Sequence, residues 1–322
     1  MKIAALARFA CSFRFIVASI ALAATGYTAG VLVTLPDVGL LAQANPAVTG
    51  YMEVREAAGA GPQVRHTWVP LDDISPVLAC AVVRSEDTFF SRHSGIAWRQ
   101  LLWAAGQFLK GRTRLGTSTI TQQLARNLYL TPERSLHRKF RELLIAVSLE
   151  RRLTKARILE LYLNVIEWGD GIWGIGDASR HYFGRPPADL SLFESTFLAS
   201  LLPAPKAALA GDNRVRAFLV QTNLLWDMQA TSLIEPADSA SVFNRINLLH
   251  LGLQSGESVK AALRRQIDNP IDDGSLMRAL NVRELLCQGC GLTWSTDSQP
   301  WTWHSADARR APGAAYQAAR GK

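Results

Sequence analysis

Cysteine is scarce in this sequence. Cys11, Cys80, Cys287 and Cys290 are the only four in 322 residues, too few for a disulfide framework in a chain of this length. Cys287 and Cys290 form one C-Q-G-C pair with no second pair and no His pair at ligand spacing, so two incidental thiols are expected there rather than zinc. Charge is also sparse, at 19% of residues against 48% hydrophobic, which is the composition of a folded chain and not a disordered one. Acidic residues are the minority, 27 against 35 Lys and Arg, leaving a net charge of +8. A basic balance suits nucleic acid, an anionic membrane surface or a phosphorylated substrate, and does not choose among them.

Between Phe15 and Pro36 there is no charged residue at all, and between Phe15 and Val54 there is no Lys or Arg. At 1.5 Å per helical residue the uncharged run spans about 30 Å, the thickness of a bilayer core. Lys2, Arg8 and Arg14 precede it, so the positive-inside rule leaves the N-terminus in the cytoplasm and sends the remainder across. The competing reading is a signal peptide cleaved near the A-L-A at 21–23, but the apolar run continues well past that point. An uncleaved single-pass anchor is therefore expected over 1–36, with the rest of the chain on the outer side of a membrane. That placement argues against nucleic acid as a partner.

Alternating, strand-like patterns are scarce, and helix-period segments dominate from 63 to 228. The expected divisions are a linker over 37–62, a mostly α-helical domain over 63–228 and an extension of unknown role over 229–322. Helices are expected to open at Ser75–Pro76, at Thr131–Pro132, at Thr154 and at Ser191, each a capping residue or a cap followed by a first-turn proline. Gly-rich turns are expected at 169–176 and 184. The extension carries short helical patterns and then a polar, Ala-rich tail. Its Trp294, Trp301 and Trp303 could meet a membrane interface or a sugar, with a small helical appendage as the plainer reading.

Three polar segments could carry chemistry. In "EDTFFSRHSG" (86–95), Glu86 and Asp87 end an apolar helix, where burial raises a carboxyl pKa toward general-base work; acidic residues at helix ends are also commonly just solvated. In "GTSTITQQLARN" (116–127), Ser118, Gln122, Gln123 and Asn127 offer orientable, uncharged groups for a hydroxyl-rich or phosphate ligand, or simply begin an amphipathic helix. In "ERSLHRKFRE" (133–142), Arg134, Arg138 and Glu142 are expected on one helical stripe with Lys139 beside it. Arg forks match phosphate oxygens, whereas the plainer alternative is a solvated face of i,i+4 pairs.

Together these segments resemble glycosyltransferase family 51, the peptidoglycan glycosyltransferases. Glu86, Asp87, Phe90, His93 and Gly95 stand in an E-D-x-x-F-x-x-H-x-G pattern. Gly116 through Asn127 follow G-x-S-T-I-T-Q-Q-x-x-[K/R]-N, and Arg138, Lys139 and Glu142 follow R-K-x-x-E. "ILELYLN" (158–164), "YFG" (182–184) and "LSLFESTFLASLLPAPK" (190–206) complete the series. Five ordered motifs over about 165 residues exclude coincidence.

The resemblance implies a lysozyme-like helical domain with head and jaw lobes, the jaw being the apolar, basic segment 98–115. It implies polymerisation of glycan strands from lipid II with inversion and release of polyprenyl pyrophosphate. Glu86 would be the base and Glu142 the second essential acid. Asp87, Phe90, His93, Ser118, Gln122, Gln123, Arg126, Asn127, Arg134, Arg138, Lys139 and Tyr182 would bind substrate. No cofactor is required by the sequence; a divalent cation (Mg or Mn), held against the pyrophosphate by Glu142, stays open. Partners would be lipid II, the growing strand, the membrane and other cell-wall synthesis proteins.

The sequence departs from the family at Arg126 (commonly Lys), Thr117 (usually Gly) and Ala97 (often Asp), and matches loosely after Pro205. No Ser-x-x-Lys or Lys-Thr-Gly is present, so a single-function enzyme is expected. The rival readings are a lysozyme-like hydrolase and a non-catalytic lipid II-binding scaffold.

Overall fold

The computed structural model describes residues 2–59, 67–111, 116, 118–268, 292–294 and 303–305. The chain opens with one long helix, α1 (Lys2–Val33). Its Arg14–Val33 part has a mean hydropathy of 1.9 over 20 residues and is only 6% buried, so length and composition suit a membrane span. The end of α1 is fastened to helix α6 (Leu136–Arg152): the Tyr27 hydroxyl pairs with His137 Nδ1 at 2.5 Å, and the Tyr27 ring stacks on Phe140. Arg141 donates to Thr34 Oγ1 at 3.0 Å.

Of the expected linker over 37–62, the described residues 37–59 are instead part of the folded body. Val38 and Leu41 join the core, and helix α2 (Gly50–Ala57) is capped by Thr49 and buries Met52 completely. Few charges and several small residues suggested a tether; three well-spaced apolar anchors make it a packed strap.

Five helices build the core around the site: α3 (Pro76–Glu86), α5 (Ile120–Tyr129), α6, α7 (Lys155–Val165) and α9 (Leu192–Leu201). Every residue of α9 is buried, the polar Glu194, Ser195, Thr196 and Ser200 included. Burial of its Phe193 and Phe197 contributes about 1.5–3 kcal/mol each. Thr119, Ser135, Thr154 and Ser191 cap α5, α6, α7 and α9 with their side-chain oxygens. Glu194 completes a capping box with Ser191. Ser75 precedes Pro76 as expected but does not cap; its hydroxyl donates to Leu190 O at 3.0 Å and ties α3 to α9. The expected start at Thr131–Pro132 moves to Ser135, because Ser135 Oγ is the group that accepts from Arg138 N.

The Gly-rich stretch forms a hairpin of β1 (Glu167–Gly169) and β2 (Ile172–Trp173), turning at Gly171 with φ of 73°, and leads into α8 (Ile175–Phe183). Gly184, with φ of 68°, ends α8 in the left-handed region. Helix α4 (Trp98–Leu109) buries no residue, and Trp98, Leu102, Trp103, Phe108 and Leu109 are exposed. This is the projecting jaw, amphipathic in the manner of a membrane-surface helix.

Residue 228 is not a structural boundary. Helix α10 (Asp212–Ala230) runs through it, and α11 (Pro236–Gln254) and α12 (Val259–Asp268) add Val242, Ile246, Leu249, Leu253 and Leu263 to the same core. Beyond them, β3 (Leu292–Trp294) pairs antiparallel with β4 (Trp303–Ser305). Cys287, Cys290 and Trp301 lie outside the described residues. Cys80, buried in α3, is disulfide-bonded, which its apolar surroundings in the sequence did not suggest.

Candidate active site

Glu86 is the last residue of α3, where the helix runs out of the core, and its side chain is half-buried. Burial raises its pKa above the ordinary carboxyl value and Asp87 adds to the rise, while the Gln123 hydrogen bond and the charges of Arg126 and Arg216 pull the other way. Gln123 Nε2, on α5, donates to Glu86 Oε2 at 2.8 Å. Arg216 arrives on α10, which is clamped to α3 by Arg84 Nε donating to Asp227 Oδ2 at 2.7 Å. A carboxyl whose pKa is raised by burial, with a neutral donor on one oxygen, can accept a proton from a substrate hydroxyl.

Asp87, Phe90 and His93 were expected to touch substrate, and the structure places them beneath the site instead. Asp87 is 4% exposed and Phe90 fully buried. His93 Nε2 donates to Asp87 (2.9 Å to Oδ2) while its Nδ1 accepts from Gly95 N, and Asp87 Oδ2 also accepts from Ile120 N at 3.0 Å. With these bonds made, the trio pins the loop after Glu86 to the start of α5. Gly95 is needed at the bend: its φ is 87°, and a Cβ there would come 3.1 Å from Ala146 O.

Glu142 lies on α6, fully buried, with one oxygen accepting from Arg138 at 2.7 Å and the other from Lys139. Lys139 Nζ also donates to Ser118 Oγ at 3.1 Å and to Gln122 Oε1 at 2.9 Å. Gln122 is buried, and its Nε2 donates to Gly95 O at 3.1 Å, so it is a strut between Lys139 and the loop rather than an open contact. Asn127 is likewise turned inward, donating to Gln123 O at 2.9 Å. Both oxygens of Glu142 are spent on cations, and among the described residues no cluster of three His, Cys, Asp or Glu could hold a metal ion. Glu142 therefore does not fit the role of a metal ligand; it fixes two cations.

Arg134 was expected on the helical stripe with Arg138 and Glu142. It precedes the Ser135 cap and is exposed in the connecting loop, because the cap starts α6 one residue later. Tyr182 does not join the Glu86 or Glu142 clusters: its hydroxyl donates to Trp168 O at 3.3 Å and its ring packs on His181 and Phe197. Burial pushes its pKa up to about 12.

Reading the sequence missed four contributors. Tyr162, buried on α7, donates to Gln123 Oε1 at 3.1 Å. Glu150 accepts from Thr121 Oγ1 at 2.5 Å and from Lys155 Nζ at 2.6 Å, and Lys155 sits 4.4 Å above the Phe90 ring, bracing the loop from below. Arg216 supplies charge near Glu86. A tyrosine inside an otherwise apolar helical run was the available signal for the first, since a buried phenol needs a partner.

The site joins a poised carboxyl to a fixed cation pair through adjacent residues of α5, Gln123 for the first and Gln122 for the second. That is the arrangement of an enzyme that deprotonates a hydroxyl beside an anionic leaving group. The chain belongs to the transglycosylase family, whose model matches residues 53–228. It is 45% identical over 167 residues to the biosynthetic peptidoglycan transglycosylase of Laribacter hongkongensis (strain HLHK9), covering 50% of this chain and 73% of that protein. Those of Azoarcus sp. (strain BH72) and Rhodospirillum centenum (strain ATCC 51521 / SW) are 44% and 46% identical, over 50% and 48% of this chain and 72% and 67% of theirs.

Proposed function

We propose that this chain polymerises peptidoglycan glycan strands from lipid II, as a membrane-anchored glycosyltransferase. The 4-hydroxyl of the lipid II acceptor attacks the anomeric carbon of the strand's reducing-end sugar, which is α-linked to lipid pyrophosphate. The new C–O bond forms as the bond to pyrophosphate breaks on the opposite face, giving a β linkage; the hydroxyl proton passes to Glu86. The leaving pyrophosphate needs neutralisation rather than protonation, and Arg126, Arg134, Arg138 and Lys139 provide it. The observation that carries this reading is the coupling of Glu86 to the Arg138–Lys139 pair through α5. In support, the Nε groups of Arg126 and Arg138 have no hydrogen-bond partner among the described residues, so both guanidiniums keep donor capacity beside the site. Ser118, beside Lys139, is the uncharged group best placed for the sugar-phosphate.

The catalytic body would lie on the periplasmic side of a bacterial inner membrane with the N-terminus inside. Supporting this are Lys2, Arg8 and Arg14 ahead of the uncharged part of α1, the absence of Lys and Arg between Phe15 and Val54, and the disulfide at Cys80, a bond that persists in oxidising compartments. Other cell-wall synthesis proteins are the expected partners there. Detergent-solubilised full chain with labelled lipid II should give a ladder of glycan products and release polyprenyl pyrophosphate. Cleavage of preformed glycan without elongation would favour a hydrolase and overturn the proposal.

A further inference from the structure

The geometry points to Tyr162 as a positioning residue for the base: it sets the direction of the Gln123 amide so that its N–H group, not its carbonyl, faces Glu86. This rests on the reading of Glu86 as the base. Three groups stand in line, with Tyr162 OH donating to Gln123 Oε1 at 3.1 Å and Gln123 Nε2 donating to Glu86 Oε2 at 2.8 Å.

The polarity of such a line is decided at its ends. An ionised carboxylate only accepts, so it requires the amide N–H; a protonated one could donate to the amide oxygen with the amide reversed. In the reversed arrangement Tyr162 would accept from Nε2, and its own hydrogen would need another acceptor. Tyr162 is 1% exposed, and among the described residues its hydroxyl makes no other hydrogen bond. Reversal would thus strand a buried donor, which proteins avoid. Burial also holds Tyr162 protonated, with a pKa well above 10, so it remains a donor wherever the enzyme works.

Tyr162 therefore favours the proton-accepting form of Glu86 without touching substrate. The other groups acting on Glu86 are Arg126 on α5, Asp87 just past the end of α3 and Arg216 on α10, and among the described residues none of them bonds to the Gln123 amide.

The test is the pH profile of kcat/KM for lipid II polymerisation by the full chain. Glu86 must be deprotonated to act, so activity falls as pH drops through its pKa. Tyr162→Phe removes one oxygen and should move this acidic limb to higher pH by about half to one unit, the worth of one hydrogen bond. The plateau rate and KM above the limb should change little. Gln123→Leu, which deletes the donor itself, should move the limb at least as far. Tyr162→Phe added to Gln123→Leu should move it no further, because Tyr162 acts only through Gln123. A limb unmoved in Tyr162→Phe, or an additive shift in the double variant, would overturn the proposal. Should Tyr162→Phe fail to fold, Gln123→Leu with an unmoved limb overturns it alone. Glu86→Gln separates the two claims: if it stays active the base assignment fails, and if it is inactive while the limb stays put, only the role of Tyr162 fails.

Discussion

Glu86 closes α3 and Glu142 lies midway along α6, and side chains of α5 reach toward both. The surroundings differ in one respect that decides their chemistry. Around Glu86 the nearest hydrogen-bonding group is a neutral amide, and burial raises the pKa. Around Glu142 the nearest groups are a guanidinium and an ammonium, one on each oxygen. One carboxyl is left able to gain a proton; the other is committed to holding two cations where a pyrophosphate can use them. Residue type does not separate these roles, whereas the charge of the nearest donor does.

The comparison is broken most severely at Glu86. Glu86→Gln should lower the polymerisation rate by about 10²–10⁴-fold, the usual contribution of a general base, with the thermal midpoint unchanged. Glu142→Gln should behave differently, losing stability as well as activity. A cost of about 2–3 kcal/mol is expected in denaturant unfolding, below the full cost of breaking a buried pair because Lys139 is 37% exposed and can be rehydrated. Arg138→Ala should weaken affinity for lipid pyrophosphate about tenfold in equilibrium binding, with a smaller effect on stability. In the wild type, activity should fall with acidification above the ordinary carboxyl range, since the base must be ionised and its pKa is raised. The smallest effect belongs to Arg134→Ala: exposed and off the helix, it should change stability by less than about 0.5 kcal/mol and affinity less than Arg138→Ala does.

Much of this was legible beforehand because helix period, caps and short motifs are local. The starts of α7 and α9, the turn at Gly184 and the polar faces of α5 and α6 follow from residues a few positions apart. What stayed hidden depends on long-range packing. The stretch at 37–59 looked like a tether because it holds few charges and several small residues, but Val38 and Leu41 meet a core formed by segments far along the chain. Asp87 and His93 looked like ligand-binding groups because the sequence cannot show that they bond to each other. Tyr162 was not singled out within "ILELYLN" because its partner is 39 residues away. The start of α6 turned on which of two capping residues, Thr131 or Ser135, wins, and that choice removed Arg134 from the stripe.

The most direct measurement is single-turnover transfer, with lipid-linked donor bound in advance to wild type and to Glu86→Gln, and donor affinity measured on the same preparations. Glu86 as the base requires equal affinity and a transfer step slowed by about 10²-fold or more in the variant. Transfer at the wild-type rate, or a defect confined to donor affinity, would contradict it.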